Sequence, residues 1–243
     1  MHLNDGPPAR TVFCIHEIGG NVTAYTALAE RLDAHLIGIE SASAGLGREP
    51  GRDLSELART YWAAIRDIQP TGPYRLIGYS LGGAIAHAIA TLIEAGGGEV
   101  ELLTAIDSVL PVGPLAGMLR RYADRVHALA ALPPGSSEPA RVLARQLDLP
   151  EVALALPADD LARRLRTMAA HTAALLDYRP RVIRSRVLLY QAGRSPWEIP
   201  LRDGWSPYAE TLDCRPCDGD HLSVMRAPAI ARIADDLAQA YGG

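Results

Sequence analysis

Lysine is missing from this chain: all 24 basic residues among its 243 are arginine, against 28 acidic residues, for a net charge of -4. A GC-rich genome explains that bias more simply than a function does. With no basic excess to neutralise phosphates, nucleic acid is excluded as the main partner. Cysteine is scarce as well, and three, an odd number, does not suggest a disulfide framework. No apolar run approaches the roughly 18 residues of a membrane span. The opening MHLNDGPPAR lacks the apolar centre of a secretion signal, so a soluble cytoplasmic protein is the expectation. Internal repeats are absent, and there is no low-complexity tract beyond alanine enrichment. What is present is core material: 48% of the residues are hydrophobic, at a length that suits one α/β domain.

Short β-type runs alternate with longer helical patterns. TVFCI (11–15), HLIGI (35–39), YRLIG (74–78), LLTAI (102–106) and RVLLYQ (186–191) read as buried strands, and TLDC (211–214) reads so more weakly. Leu54, Leu57, Tyr61, Ile65 and Ile68 share one helical face, with Asp53 and Glu56 placed as a capping box and Pro70 as the stop. Helices are also predicted over 81–94 and 227–241. Strand and helix in alternation imply a mostly parallel sheet covered on both faces. The alternation breaks between about 111 and 180, where three or four helical segments follow one another. Leu115, Leu119, Tyr122, Val126 and Leu129 form one stripe, Leu161, Leu165, Met168 and Leu175 another, and PPGSSEP (133–139) separates them. Such an insertion reads most simply as a helical lid over the active edge of a single domain spanning 1–243.

Within GYSLG (78–82), Ser80 stands where a strand turns directly into a helix. The pattern fits G-x-S-x-G, the nucleophile elbow, in which glycines let the two backbones approach around a strained turn. The competing reading is a plain helix cap. A serine hydroxyl is a weak nucleophile and needs a histidine base, itself oriented by an acid. In this type of fold the order along the chain is serine, acid, histidine. Asp107 follows LLTAI at the same sheet edge as Ser80, although a strand-end aspartate is as often a cap. The loop after RVLLYQAG holds no aspartate, Asp203 lying ten residues beyond Gly193, and this favours Asp107. His127, His171 and His221 lie later in the chain, and the last two are the candidates for the base. His171 belongs to a stripe in the insertion, as a polar-face or pocket-lining residue. His221, in the turn-rich DGDHLSVM, is the choice for the base. An oxyanion hole needs backbone N–H groups: one from Leu81, after the serine, and one from the loop HEIGG (16–20), where Ile18 is the donor by position. A zinc site from Cys214, Cys217, His221 and the distant Cys14 is a weak alternative, since C-x-x-C lacks a second pair.

With these residues in place the chain resembles the type I thioesterase domains of nonribosomal peptide synthetases. TVFCIHEIGGNVTAYTALAERL is similar to the family's first strand, oxyanion loop and first helix, and YWAAIRDIQPTGPYRLIGYSLGG to its approach to the elbow. AIDSVLP matches the position of the family's aspartate and GDHLSVM its histidine loop. Stand-alone editing thioesterases usually place the acid after a later strand and read GHSMG at the elbow, so both features favour type I. Glu17 is a departure, since the family more often has proline after His16. The resemblance implies an α/β-hydrolase fold with no cofactor of its own and no metal. It implies a substrate carried on the 4'-phosphopantetheine of a peptidyl or acyl carrier domain, in nonribosomal peptide or hybrid polyketide biosynthesis. Ser80 would be acylated with His221 as base, Ile18 and Leu81 holding the oxyanion, and release would follow by hydrolysis or by ring closure. A general carboxylesterase and a catalytically silent carrier-docking domain are the rivals. Arg120, Arg121 and Arg125, then Arg163, Arg164 and Arg166, lie on polar helix faces, where solvation is the ordinary role and docking of an acidic carrier domain the functional one.

Overall fold

The structure, a computed structural model, describes residues 1–42, 53–131, 157–197 and 199–242. Six strands, β1 (Thr11–Ile15), β2 (His35–Ile39), β3 (Tyr74–Tyr79), β4 (Val100–Ile106), β5 (Ile183–Arg194) and β6 (Ala209–Asp220), form one sheet in the order β2-β1-β3-β4-β5-β6. Every neighbouring pair is parallel. The chain leaves β1 to one side for β2 and returns on its other side as β3. This change of direction opens a crevice at the carboxyl ends of β1 and β3, where an open parallel sheet of this kind binds its ligands.

Buried runs become two-sided strands here because both faces are covered. Phe13 and Ile15 of β1 pack with Leu54, Leu57, Tyr61 and Ile65 of α2 (Leu54–Ile68) and with Ile85 and Ile89 of α3 (Leu81–Ala95). Val12 and Cys14 point the other way, into a core with Leu28 of α1 (Thr26–Ala29) and Ile230, Ile233 and Leu237 of α7 (Ala229–Gly242). Between β4 and β5 lie α4 (Gly113–Ala130) and α5 (Ala158–Asp177), whose facing side chains Val126, Leu129, Leu161, Leu165 and Met168 make a smaller third core. Residues 133–139 and any further helical segment of the insertion lie outside the described residues.

Several boundaries differ from the sequence expectation. Asp53 does cap α2, but its Oδ1 accepts from Ser55 N at 2.8 Å rather than from Glu56 N as a capping box requires. Ile68, expected on the buried stripe, is 50% exposed, because it is the last helical residue before the chain turns away through Gln69. β5 and β6 extend to 12 residues each, well beyond RVLLYQ and TLDC. Their extra length carries arginines, a proline and glycines, which a hydrophobic-run reading discards; β6, the edge strand, holds the proline, and the ends of β5 run beyond β4 and pair with β6. α6 (Leu201–Trp205) follows β5, and α7 begins two residues later than expected. Among the described residues no helix is long and apolar enough to cross a membrane.

Candidate active site

Ser80 sits between the last residue of β3 and the first of α3 with φ 55° and ψ −125°, a conformation that L residues rarely adopt. Two glycines make the turn possible. A Cβ on Gly78 would fall on the backbone of Gly82 and Gly83, and one on Gly82 would collide with the carbonyl oxygens of Ile15 and His16. The serine is therefore held out of the sheet by strand, helix and β1 crowding together, and not by a cap bond, since its side chain caps nothing. Leu81 opens α3, where a first-turn N–H has no carbonyl of its own helix to meet.

The structure brings Ser80, His221 and Asp107 together in one hydrogen-bonded chain. Asp107 also has positive φ, 43°, directly after β4, and is fully buried. Its N–H donates to Tyr190 O at 2.8 Å, which anchors the turn to β5. Ala192 N donates to Oδ1 at 3.0 Å, and Ser195 Oγ donates to Oδ2 at 3.1 Å. The same Oδ2 accepts from His221 Nδ1 at 2.6 Å, which leaves Nε2 of a neutral ring as acceptor for the Ser80 hydroxyl at 3.0 Å. Tyr79 OH donates to His221 O at 2.5 Å, the Tyr79 ring lies 5.1 Å from the imidazole, and Trp197 stands edge-on at 6.4 Å. Tyr79, Ser195 and Trp197 were not anticipated. Tyr79 adjoins the serine in sequence, but no spacing rule links Ser195 or Trp197 to His221.

The loop after β1 is held from several directions. His16, fully buried, donates from Nδ1 to Glu17 O at 2.7 Å and so accepts at Nε2 from Tyr61 OH at 2.7 Å. His171, also fully buried, donates from Nδ1 to Ile18 O at 2.8 Å, with Ser41 Oγ at 3.3 Å from its Nε2. The rings stack at 4.9 Å. Burial is the main cause of low basicity in both: the His16 imidazole is pushed down to about 3, with His171 adding to the effect, and His171 is itself lowered. His171 is thus not on a solvated polar face, one of the two readings the sequence offered, but forms a bridge from α5 to the loop. Glu17, whose carboxyl burial pushes up, accepts from Gly19 N at 2.6 Å and Asn21 Nδ2 at 2.9 Å, and pairs with Arg164 at 3.5 Å. Arg164 consequently leaves the solvated arginine face on which the sequence placed it, whereas Arg163 pairs locally with Asp160 and Arg166 is exposed.

Cys214 and Cys217 belong to opposite faces of β6, Cys214 against the core of α2 and α3 and Cys217 in the core of α7 with Cys14. A strand separates their side chains, so C-x-x-C presents no paired thiols here.

Sheet order, elbow and connectivity define the class: this is an α/β-hydrolase fold. The chain belongs to the thioesterase domain family, whose model matches residues 10–238. Over 258 aligned residues it is 28% identical to the dimodular nonribosomal peptide synthase of Bacillus subtilis (strain 168), covering 96% of this chain and 10% of that protein. To enterobactin synthase component F of Escherichia coli (strain K12) it is 34% identical over 113 residues, 46% of this chain and 8% of that protein. The chain thus spans a small part of the curated relatives it matches. Among solved structures, a four-domain nonribosomal peptide synthetase bound to AMP and glycine superposes with TM-score 0.78 at 25% identity, over 99% of this chain and 20% of that one. The RedJ thioesterase from the prodiginine pathway of Streptomyces coelicolor superposes with TM-score 0.77 at 24% identity, over 99% of this chain and 90% of that one.

Proposed function

We propose that this single α/β-hydrolase domain, lidded by the insertion that includes α4 and α5, releases an acyl or peptidyl chain from the phosphopantetheine thiol of a carrier domain. The observation that carries the reading is the hydrogen-bonded chain from Ser80 through His221 to Asp107. His221 Nε2 takes the Ser80 proton as Oγ attacks the thioester carbonyl. The negative charge on the former carbonyl oxygen meets the N–H groups of Leu81 and Ile18. Collapse of the tetrahedral adduct breaks the C–S bond, and the His221 proton passes to the departing thiol, leaving acyl-Ser80. Asp107, buried and fixed by Ala192 and Ser195, keeps the imidazole in the tautomer that accepts at Nε2 and stabilises the imidazolium. In the second half-reaction His221 deprotonates either water or an internal amine or hydroxyl of the acyl chain, giving the free acid or a ring. A lid that excludes water favours the ring.

The test compares the wild type and Ser80→Ala on an acyl-pantetheine thioester and an activated oxygen ester bearing the same acyl group. Thioester turnover above ester turnover, lost in the variant, is the expected result. Preference for the ester would make the protein a general carboxylesterase, and a wild type inert to both would leave it a carrier-docking domain.

A further inference from the structure

Ile18, proposed above as a backbone donor, is the third residue past β1, in a loop that includes two glycines, Gly19 and Gly20. A donor in such a loop is useful only if its peptide plane is fixed before the reaction. The planes on both sides of Ile18 are fixed, one from within the loop and the other from α5. The Glu17 carbonyl accepts from His16 Nδ1 at 2.7 Å. In a trans peptide the N–H of Ile18 then points away from that contact. The Ile18 carbonyl accepts from His171 Nδ1 at 2.8 Å, and His171 lies on α5, 153 residues further along the chain. The next N–H, that of Gly19, is occupied by Glu17 Oε2 at 2.6 Å, so it is not available to a substrate.

Arg164, two turns before His171 on the same helix, closes the arrangement. Its guanidinium reaches Glu17 Oε1 at 3.5 Å and lies against Gly19: a Cβ built on Gly19 would stand 2.6 Å from Glu17 Oε1 and 2.9 Å from Arg164 Nη2. The Ile18 side chain contacts the small core between α4 and α5 as well as the main core beneath α3. Gly82, two residues after Ser80, abuts the Ile15 and His16 carbonyls, so the clamped loop is seated beside the elbow.

We propose that α5 assembles the oxyanion site: His171, Arg164 with Glu17, and His16 are positioning residues that fix the Ile18 N–H, so that seating this helix on the domain sets the rate of acyl transfer at Ser80. The inference rests on the reading of Ser80 as nucleophile and Ile18 as oxyanion donor, and it adds the residues that make the donor competent. Substrate shape enters through the same element, because a helix displaced to admit a poorly fitting chain would release its hold on Ile18.

Four variants test it on the intact chain, with an acyl-pantetheine thioester as substrate and kcat and KM measured separately. His171→Leu removes the donor to Ile18, and His171→Asn restores an amide N–H near the Nδ1 position. Arg164→Met removes the ion partner of Glu17 from a part-exposed position. Ser80→Ala reports on the underlying reading. Loss of an oxyanion donor costs about 10²–10³ in kcat, and a misplacement of about 1 Å costs as much as 10². His171→Leu and Arg164→Met are therefore expected to lower kcat by about tenfold to a hundredfold with KM nearly constant, and His171→Asn to recover most of the loss. An unchanged kcat in both variants, with Ser80→Ala inactive, would overturn the positioning role while leaving the nucleophile in place. A loss confined to KM, or one that His171→Asn does not relieve, would overturn it too, since packing alone would then suffice. Turnover that survives Ser80→Ala would instead remove the reading on which the proposal rests.

Discussion

Ser80 and Asp107 carry their side chains on left-handed backbone, φ 55° and 43°, and each is the residue that directly follows a strand. A residue held in that region costs of order 1–3 kcal/mol and persists only where its surroundings over-determine it. Here Ser80 N donates to Ile106 O at 2.9 Å and Asp107 N to Tyr190 O at 2.8 Å, so each turn is tied to the next strand. Asp107→Asn keeps the size of the side chain but replaces the carboxylate that orients His221. By the reasoning for triads of this kind, kcat on a thioester should fall by about 10³–10⁴ at neutral pH, and an effect below about tenfold would remove Asp107 from the role. Gly78→Ala drives a methyl group into the Gly82 backbone, and should lower stability by about 3 kcal/mol or more in urea titration together with activity. At this scale the three side chains that the structure joins by hydrogen bonds could be picked out in the sequence. Ser80, Asp107 and His221 announce themselves by chain order and by standing at strand ends. The clamp on Ile18 does not, because His171 meets Ile18 across 153 positions and Ser41 across 130, and no local pattern encodes such a contact.

Elements show where periodicity is a good guide and where it fails. α2 buries Leu54, Leu57, Tyr61 and Ile65 against the sheet, as the 3.6-residue spacing implies, yet leaves Ile68 half exposed at its end. Ile65→Ala should cost about 2–5 kcal/mol, whereas Ile68→Ala should stay within about 0.5 kcal/mol. Equal costs for the two would mean that the helix end is packed in solution. The stripes of α4 and α5 were also legible, with Leu115, Leu119, Val126 and Leu129 buried on one helix and Leu161, Leu165, Met168 and Leu175 on the other. What the stripes hid is that a helix can turn polar side chains inward as well. Arg164 and His171 lie on the inner side of α5 because the loop after β1 offers them a carboxylate and a carbonyl. β5 and β6 ran past their hydrophobic centres for a related reason: strand pairing is satisfied by backbone, so arginine, proline and glycine extend the ladder without leaving a hydropathy signal.

Taken as a whole, the molecule encloses three imidazoles in neutral form, His16, His87 and His171, each lowered chiefly by burial, His16 to about 3 and His87 to about 4. The unfolded chain, with histidines near their ordinary 6.5, binds these protons first as pH falls, so the stabilisation is complete above about 6.5 and is lost as pH drops towards the folded values. Each histidine removes up to about 1.4 kcal/mol per pH unit in that window. Glu17, pushed up by burial, works in the opposite sense, so the net loss is smaller than the sum. Unfolding free energies from urea titration at pH 7.5 and pH 5 should therefore differ by about 2 kcal/mol or more in favour of the higher pH; equal values would show that folding does not lower the basicity of these rings. The central claim, that this thioesterase-family chain takes its acyl group onto Ser80, is tested most directly by trapping the acyl-enzyme. Intact-protein and peptide mass spectrometry after mixing with an acyl-pantetheine thioester should show one added acyl mass on the peptide containing Ser80, absent from Ser80→Ala. Rapid turnover with no adduct at Ser80, or an adduct that survives in Ser80→Ala, would contradict it.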